Sequence, residues 1–267
     1  MVFSVRAALL TVALVAVMGV AAQTRVLLPV LATVFVAQVL IASGPSPADE
    51  RGRAIATPQL TATLIGGAVS SAIAYHPDLL IGAQTRASLD SLKPGVFAGM
   101  LLGVAAGLVV AIVAQVARKD ERHQLVQSLA AVSSLVVFAA CASAWVSAAR
   151  ANTGREVLTV GCAAVLACFL VILAPGDRRV VVPIALIAGA VAGAVGSHLV
   201  DGQSTLPFAA CVGFGAAGFA LVGLSVGTVW THGRSHLSSA WGLPGALAFV
   251  LAGPLVFVAG DFLAATV

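Results

Sequence analysis

Long apolar runs separated by short polar clusters recur along the whole chain, and their spacing predicts its elements. Each run approaches the roughly 20 residues a helix needs to cross the hydrocarbon core of a bilayer. Nine spans are predicted, at about 4–22, 26–43, 59–75, 95–117, 125–149, 157–174, 180–200, 207–230 and 242–263. The longest polar connections are 44–58 and 76–94. Residues 1–267 therefore read as a single transmembrane helical domain with no separate soluble domain. The expected fold class is an all-α integral membrane protein, a polytopic bundle of about nine transmembrane helices.

Two spans set the uncertainty in that count, which becomes eight if the first is a cleaved signal or the third does not span. "MVFSVRAALLTVALVAVMGVAAQ" has the basic residue, apolar stretch and small-residue end of a signal peptide. Only Gln23, Thr24 and Arg25 separate it from the next apolar run, which favours a retained helix in a tight hairpin. "QLTATLIGGAVSSAIAY" (59–75) is short and carries Gln59, Thr61, Thr63, Ser70 and Ser71.

Composition fixes the solvent. Hydrophobic residues make up 60% of the chain and charged residues 9%, with a mean hydropathy of +1.07. Soluble domains carry roughly 25% charged residues, so the bilayer is the expected environment. The net charge of +4 would suggest nucleic acid in a soluble protein. Here the basic residues lie between apolar runs, where they set topology, and no nucleic-acid partner is expected. Alternate assignment of the connections puts Arg6, Arg51, Arg53, Arg118, Lys119, Arg122, Arg178, Arg179 and Arg234 on one face. The other face receives Arg25, Arg86, Lys93, Arg150 and Arg155. Nine against five favours a cytoplasmic N-terminus and an outside C-terminus. Tyr75, Trp145, Trp230 and Trp241 fall at predicted span ends, as interfacial aromatics do. An Ala/Val/Gly/Arg-rich composition with almost no Lys points to a GC-rich bacterial genome, hence to a bacterial plasma membrane.

The sharpest pattern is glycine at every fourth position. Gly95, Gly99, Gly103 and Gly107 mark one face of the fourth span; Gly189, Gly193 and Ser197 one face of the seventh; Gly223 and Gly227 one face of the eighth. Small residues four apart let two helix backbones approach closely in lipid. Such faces suit static packing, or a rocking surface in alternating access. A second pattern is the polar stripe of Thr63, Ser70 and Ser71, a path for solute if it lines a cavity. A third is Pro254 with Asp261 on nearly the same helical face of the last span. Counting about 20 residues from Leu243 puts Asp261 at the outer rim, beneath a proline kink.

Catalytic chemistry finds little support. The chain has no paired-carboxylate DxxD, no HExxH, no GxSxG elbow and no Walker A loop. Cys141, Cys162, Cys168 and Cys211 all lie in apolar runs without a CxxC, and are expected to pack as small hydrophobes. His232 and His236 in "THGRSH" lack a third nearby ligand, so neither metal nor cofactor is expected. "ARKDERHQ" (117–124) and "PGDRRV" (175–180) read as solvated turns. An enzyme acting through loop residues such as Asp90, Asp177 or Asp201 ranks last. Two expectations lead: a small permease or exporter for an uncharged or lipophilic solute, and a non-catalytic membrane subunit or scaffold of a cell-envelope complex. The bilayer is the expected partner, with a homo-oligomer or other membrane proteins beside it. A cavity reaching mid-membrane between the third, fourth and seventh spans would favour the permease; a solid bundle would favour the scaffold.

Overall fold

The structure is a computed structural model that describes residues 5–24, 26–46, 58–76, 95–117, 125–151, 153–200, 205–231 and 241–266. Every regular element among them is a helix: α1 (Val5–Thr24), α2 (Leu27–Ala42), α3 (Gln59–Tyr75), α4 (Gly95–Ala117), α5 (Leu125–Cys141), α6 (Ser143–Arg150), α7 (Gly154–Ile172), α8 (Arg178–His198), α9 (Leu206–Trp230) and α10 (Gly242–Thr266). The protein is an all-α polytopic membrane protein. Seven spans are long and apolar enough to cross a bilayer by length and composition, α5 and α6 counting together as Leu125–Arg150. The shorter α2 and α3 have 16 and 17 residues. At 1.5 Å per residue they reach about 24 and 26 Å, close to the ~30 Å of hydrocarbon.

Contacts between helix ends show that α2 and α3 nevertheless run the length of their neighbours in the bundle. Gln59 at the start of α3 donates to Ala42 O and Gly44 O at the end of α2. Arg150 at the end of α6 reaches Ala74 O at the end of α3. Down the α3–α4 pair, Gly99 meets Ile73 and Gly107 meets Ala62, so these helices are antiparallel. Gln115 near the end of α4 donates to Ser128 near the start of α5. On the other side of the bundle, Gly193 of α8 meets Ala209 of α9, and Gly227 of α9 meets Pro244 of α10. These contacts make the crossings alternate in direction. The starts of α1, α3, α5, α8 and α10 share one face of the bundle; the starts of α2, α4, α7 and α9 share the other.

The fifth crossing is interrupted where three small residues, Cys141, Ala142 and Ser143, follow one another. Trp145 N donates to Ala142 O, a three-residue spacing that tightens the helix locally. Ser143 Oγ bonds Ala140 O in the same turn.

Branched aliphatic side chains cover the outer faces of the rim helices, while glycine and alanine stand at many of the closest helix contacts. Lipid gives no hydrophobic drive between helices, so close backbone approach holds them instead. On α4 the exposed residues include Leu101, Val109, Val113 and Val116; on α8 they include Val180, Ile184, Ile187, Val191 and Val195. α4 packs chiefly on α3 and α5, and α8 on α7 and α9. α10 runs through the middle, touching α1, α2, α5, α6, α7 and α9. The share of the span buried is 22% for α4 and 78% for α10, which separates rim from axis. α1 is built into the same core: Ala7, Val15 and Met18 are fully buried, and Thr11 Oγ1 donates to Gly245 O at 3.1 Å.

Candidate functional site

Several of the polar groups buried inside the bundle, among them Gln38, Thr63, Ser70 and Ser71, lie on the seam where α3 meets its neighbours. Gln38 of α2 is its hub. Its side-chain amide lies 2.9 Å from Ser71 Oγ, 3.1 Å from Gly67 O and 3.1 Å from Ala139 O. One amide thereby ties together α2, α3 and α5. Gly67 makes this possible, because a Cβ there would stand 2.8 Å from the Gln38 side-chain carbon. The sequence marks Gln38 as one of the rare polar residues in mid-span, and burial explains its bonds: an unpaired amide in hydrocarbon costs several kcal/mol.

Ser70 and Thr63 complete the stripe in different ways. Ser70 Oγ donates to Gly99 O across the α3–α4 contact at 3.3 Å. Thr63 is fully buried, and its hydroxyl has no hydrogen-bond partner among the described residues. The same holds for Gln59 Oε1, one helical turn earlier, and for Ser147 Oγ in α6. Thr63, Ser70 and Ser71 are all enclosed between helices. Here the stripe is an interhelical seam, and neither its serines nor its threonine face open solvent.

The glycine faces lie at three backbone contacts. A Cβ on Gly103 would stand 2.5 Å from Gly66 O and 2.9 Å from Ser70 Cβ. One on Gly107 would stand 2.9 Å from Ala62 O. Gly189 and Gly193 meet Gly213 and Ala217 of α9, with Gly213 O 3.4 Å from the Cβ position of Gly189. Gly223 meets Leu247 and Ala248 of α10. Gly66 and Gly213 are the partners that spacing did not single out, since each stands without a second glycine four residues away on its own helix face. Gly95 opens α4, but its packing lies outside the described residues. Ser197 is buried and bonds back to Ala194 O within α8. The third, fourth and seventh crossings do not converge: α3 and α4 pack on each other, while α8 packs with α7 and α9.

Trp145 departs from the sequence expectation. Tyr75, Trp230 and Trp241 stand at helix ends, but Trp145 is fully buried against the middle of α10. Its ring stacks on Phe249 with centroids 5.0 Å apart and planes 7° apart. Its Nε1 donates to Phe249 O at 3.1 Å, and Gly253 leaves the space its indole fills. Residues 142–148 are buried on every face, so the placement of α6 among its neighbours, which no hydropathy pattern records, encloses the indole.

α10 continues through Pro254, whose missing N–H leaves the carbonyl of Val250 without its usual helical donor. Asp261 lies in the same helix, one residue beyond Gly260, whose carbonyl accepts from Thr153 Oγ1 in the α6–α7 turn at 3.1 Å. Its backbone is thus level with a turn at the bundle's edge; its side chain lies outside the described residues. Asp177 caps α8 by accepting from Arg179 N, and Arg178 donates to Ile172 O. Asp90, Asp201, His232, His236 and residues 118–124 lie outside the described residues. Among the described residues, no group of three or more His, Cys, Asp or Glu could hold a metal ion. Comparison with protein families, curated proteins and solved structures finds no match to this chain.

Proposed function

We propose that the protein is a non-catalytic, lipid-embedded structural subunit that assembles with other membrane proteins or with copies of itself, and is not a permease. The observation that supports this reading is the close packing around α10 among the described residues. α10 occupies the axis, its Phe249 stacked under Trp145, and the polar seam beside it is closed by Gln38. A solute path would have to part contacts in which helix backbones already touch. The charge distribution supports a bacterial plasma membrane with the N-terminus in the cytoplasm. Arg6, Arg178 and Arg179 lie at helix ends on the same face, which the connections carrying most of the other basic residues also join.

Cysteine accessibility tests the proposal in a background lacking the four native cysteines. Ser71→Cys and Ser147→Cys should resist membrane-impermeant thiol reagents from either face. Reaction at either position would restore the permease. Photo-crosslinkers at Val113 on α4 and Val191 on α8, both directed outward, should give a discrete protein adduct in native membranes. Lipid adducts alone at every outward position would overturn the structural-subunit reading.

A further inference from the structure

A cavity of about 330 Å³ opens on the face opposite the start of α1. It lies between the α1–α2 hairpin and the junction of α6 with α7. Its walls are Ala21, Ala22, Leu27, Val30 and Leu158, with Arg155 contributing the charge. That volume is at the low end of small-molecule sites, about 300–1,000 Å³. It suits a headgroup and the first part of a chain better than a whole lipid.

Three features give the cavity a sign. Arg155 is exposed, and its Nε is held by Gln23 Oε1 at 2.9 Å; Gln23 is itself fixed by donating to Thr159 Oγ1. The guanidinium is thus aimed from a tied stem. Arg155 also occupies the first turn of α7, the positive end of the helix dipole, where the acidic residue of that turn, Glu156, is buried. Finally, α7 has no side-chain cap, since the Thr153 hydroxyl is turned to Gly260 O instead. Glu156, the next residue, is buried and engaged within the protein. Arg150 reaches Ala74 O at the end of α3.

The walls decide between a dissolved anion and an amphiphile. Arg155 is the one charged side chain in the lining, so a free phosphate would lose water there for a single guanidinium. A phosphodiester attached to an acyl chain gains from both parts. Val26 in the lining is an exposed apolar residue along which such a chain would lie. We propose that this cavity binds the headgroup end of an anionic phospholipid, with Arg155 pairing its phosphate. The site stands on its own geometry and does not depend on whether the protein assembles with partners.

Native mass spectrometry of the full chain in detergent, offered equimolar phosphatidylglycerol and phosphatidylcholine, tests the site. The wild type should retain phosphatidylglycerol about fivefold or more over phosphatidylcholine, the scale expected for one basic residue near an anionic headgroup. Arg155→Gln should bring that ratio close to parity, and Arg155→Lys should keep part of it. Ala22→Phe, which fills the wall and leaves Arg155 in place, should weaken retention of both lipids. Arg179→Gln, on the opposite face, should leave the ratio unchanged, and melting curves establish that each variant is folded. Equal retention by the wild type, a preference untouched by Arg155→Gln, or full retention of both lipids by Ala22→Phe would overturn the proposal. Displacement of the lipid by excess inorganic phosphate would also overturn it, by making the ligand a dissolved anion.

Discussion

Adding one methyl group at Gly103 should push α3 and α4 apart and destabilise the bundle. The Cβ of Gly103→Ala would lie 2.5 Å from Gly66 O, nearly an ångström short of the 3.4 Å at which ordinary contact begins. It would also press on Ser70, whose hydroxyl bonds Gly99 O. Gly66 O is backbone and cannot rotate aside as the Ser70 hydroxyl can, so α3 and α4 must separate. A gap of 0.5–1 Å forfeits about a quarter to a half of each contact's dispersion energy, and overpacking of this kind costs about 1–3 kcal/mol. The expected loss is about 2 kcal/mol, on the order of a thirtyfold shift in the folding equilibrium. Gly218→Ala on α9 is the control, because its nearest neighbour is Leu186 Cδ2 at 3.9 Å. There the change removes a helix-weakening glycine and should be neutral or stabilising by up to about 1 kcal/mol. Equilibrium unfolding of purified protein in mixed detergent, titrated with a denaturing detergent, compares the two. Equal stability of the two variants would refute the reasoning that contact geometry, and not glycine content, holds this bundle together.

Other perturbations address the seam and the axis. Gln38→Leu should destabilise by about 1 kcal/mol in the same assay, the usual scale for interhelical polar contacts in membranes, and a double-mutant cycle with Ser71→Ala should show coupling; additive effects would mean their 2.9 Å contact carries no energy. Trp145→Phe keeps the stack on Phe249 but loses the bond to Phe249 O, and should cost about 1 kcal/mol, whereas Gly253→Leu should cost more by filling the space the indole occupies. A lipid-soluble maleimide should label the exposed Cys211 first and leave Cys162 and Cys168 unmodified until the protein unfolds; early labelling of either, read by peptide mass mapping, would contradict their burial.

Much of the architecture was legible in the chain because a bilayer imposes a length scale. The expected spans 59–75 and 95–117 coincide with α3 and α4, and the others shift by only a few residues at their ends. Glycine at every fourth residue told which helix faces could approach closely, since only backbone geometry is involved. It could not name the partner: Gly103 meets Gly66, and Gly193 meets Gly213, pairings that depend on how the crossings are arranged around α10. The polar stripe of α3 was visible, but not whether it lined a cavity. That answer came from Gln38 of α2, which reaches the stripe only after three helices have assembled.

Residues whose roles arise from distant chain segments were the ones hidden. Trp145 sits near the end of an apolar run, where hydropathy places an interfacial ring, yet α6 is enclosed on every side by its neighbours. Arg155 looked like a topology marker in the charge count; its place beside a cavity exists only because α1 and α2 return next to the start of α7. Sequence by itself determined the solvent, the helices and which of their faces are small enough to touch, because these depend on composition and period alone. The tertiary structure decided which faces meet, which polar groups are closed off and where a cavity remains, because each of these depends on residues far apart in the chain arriving together.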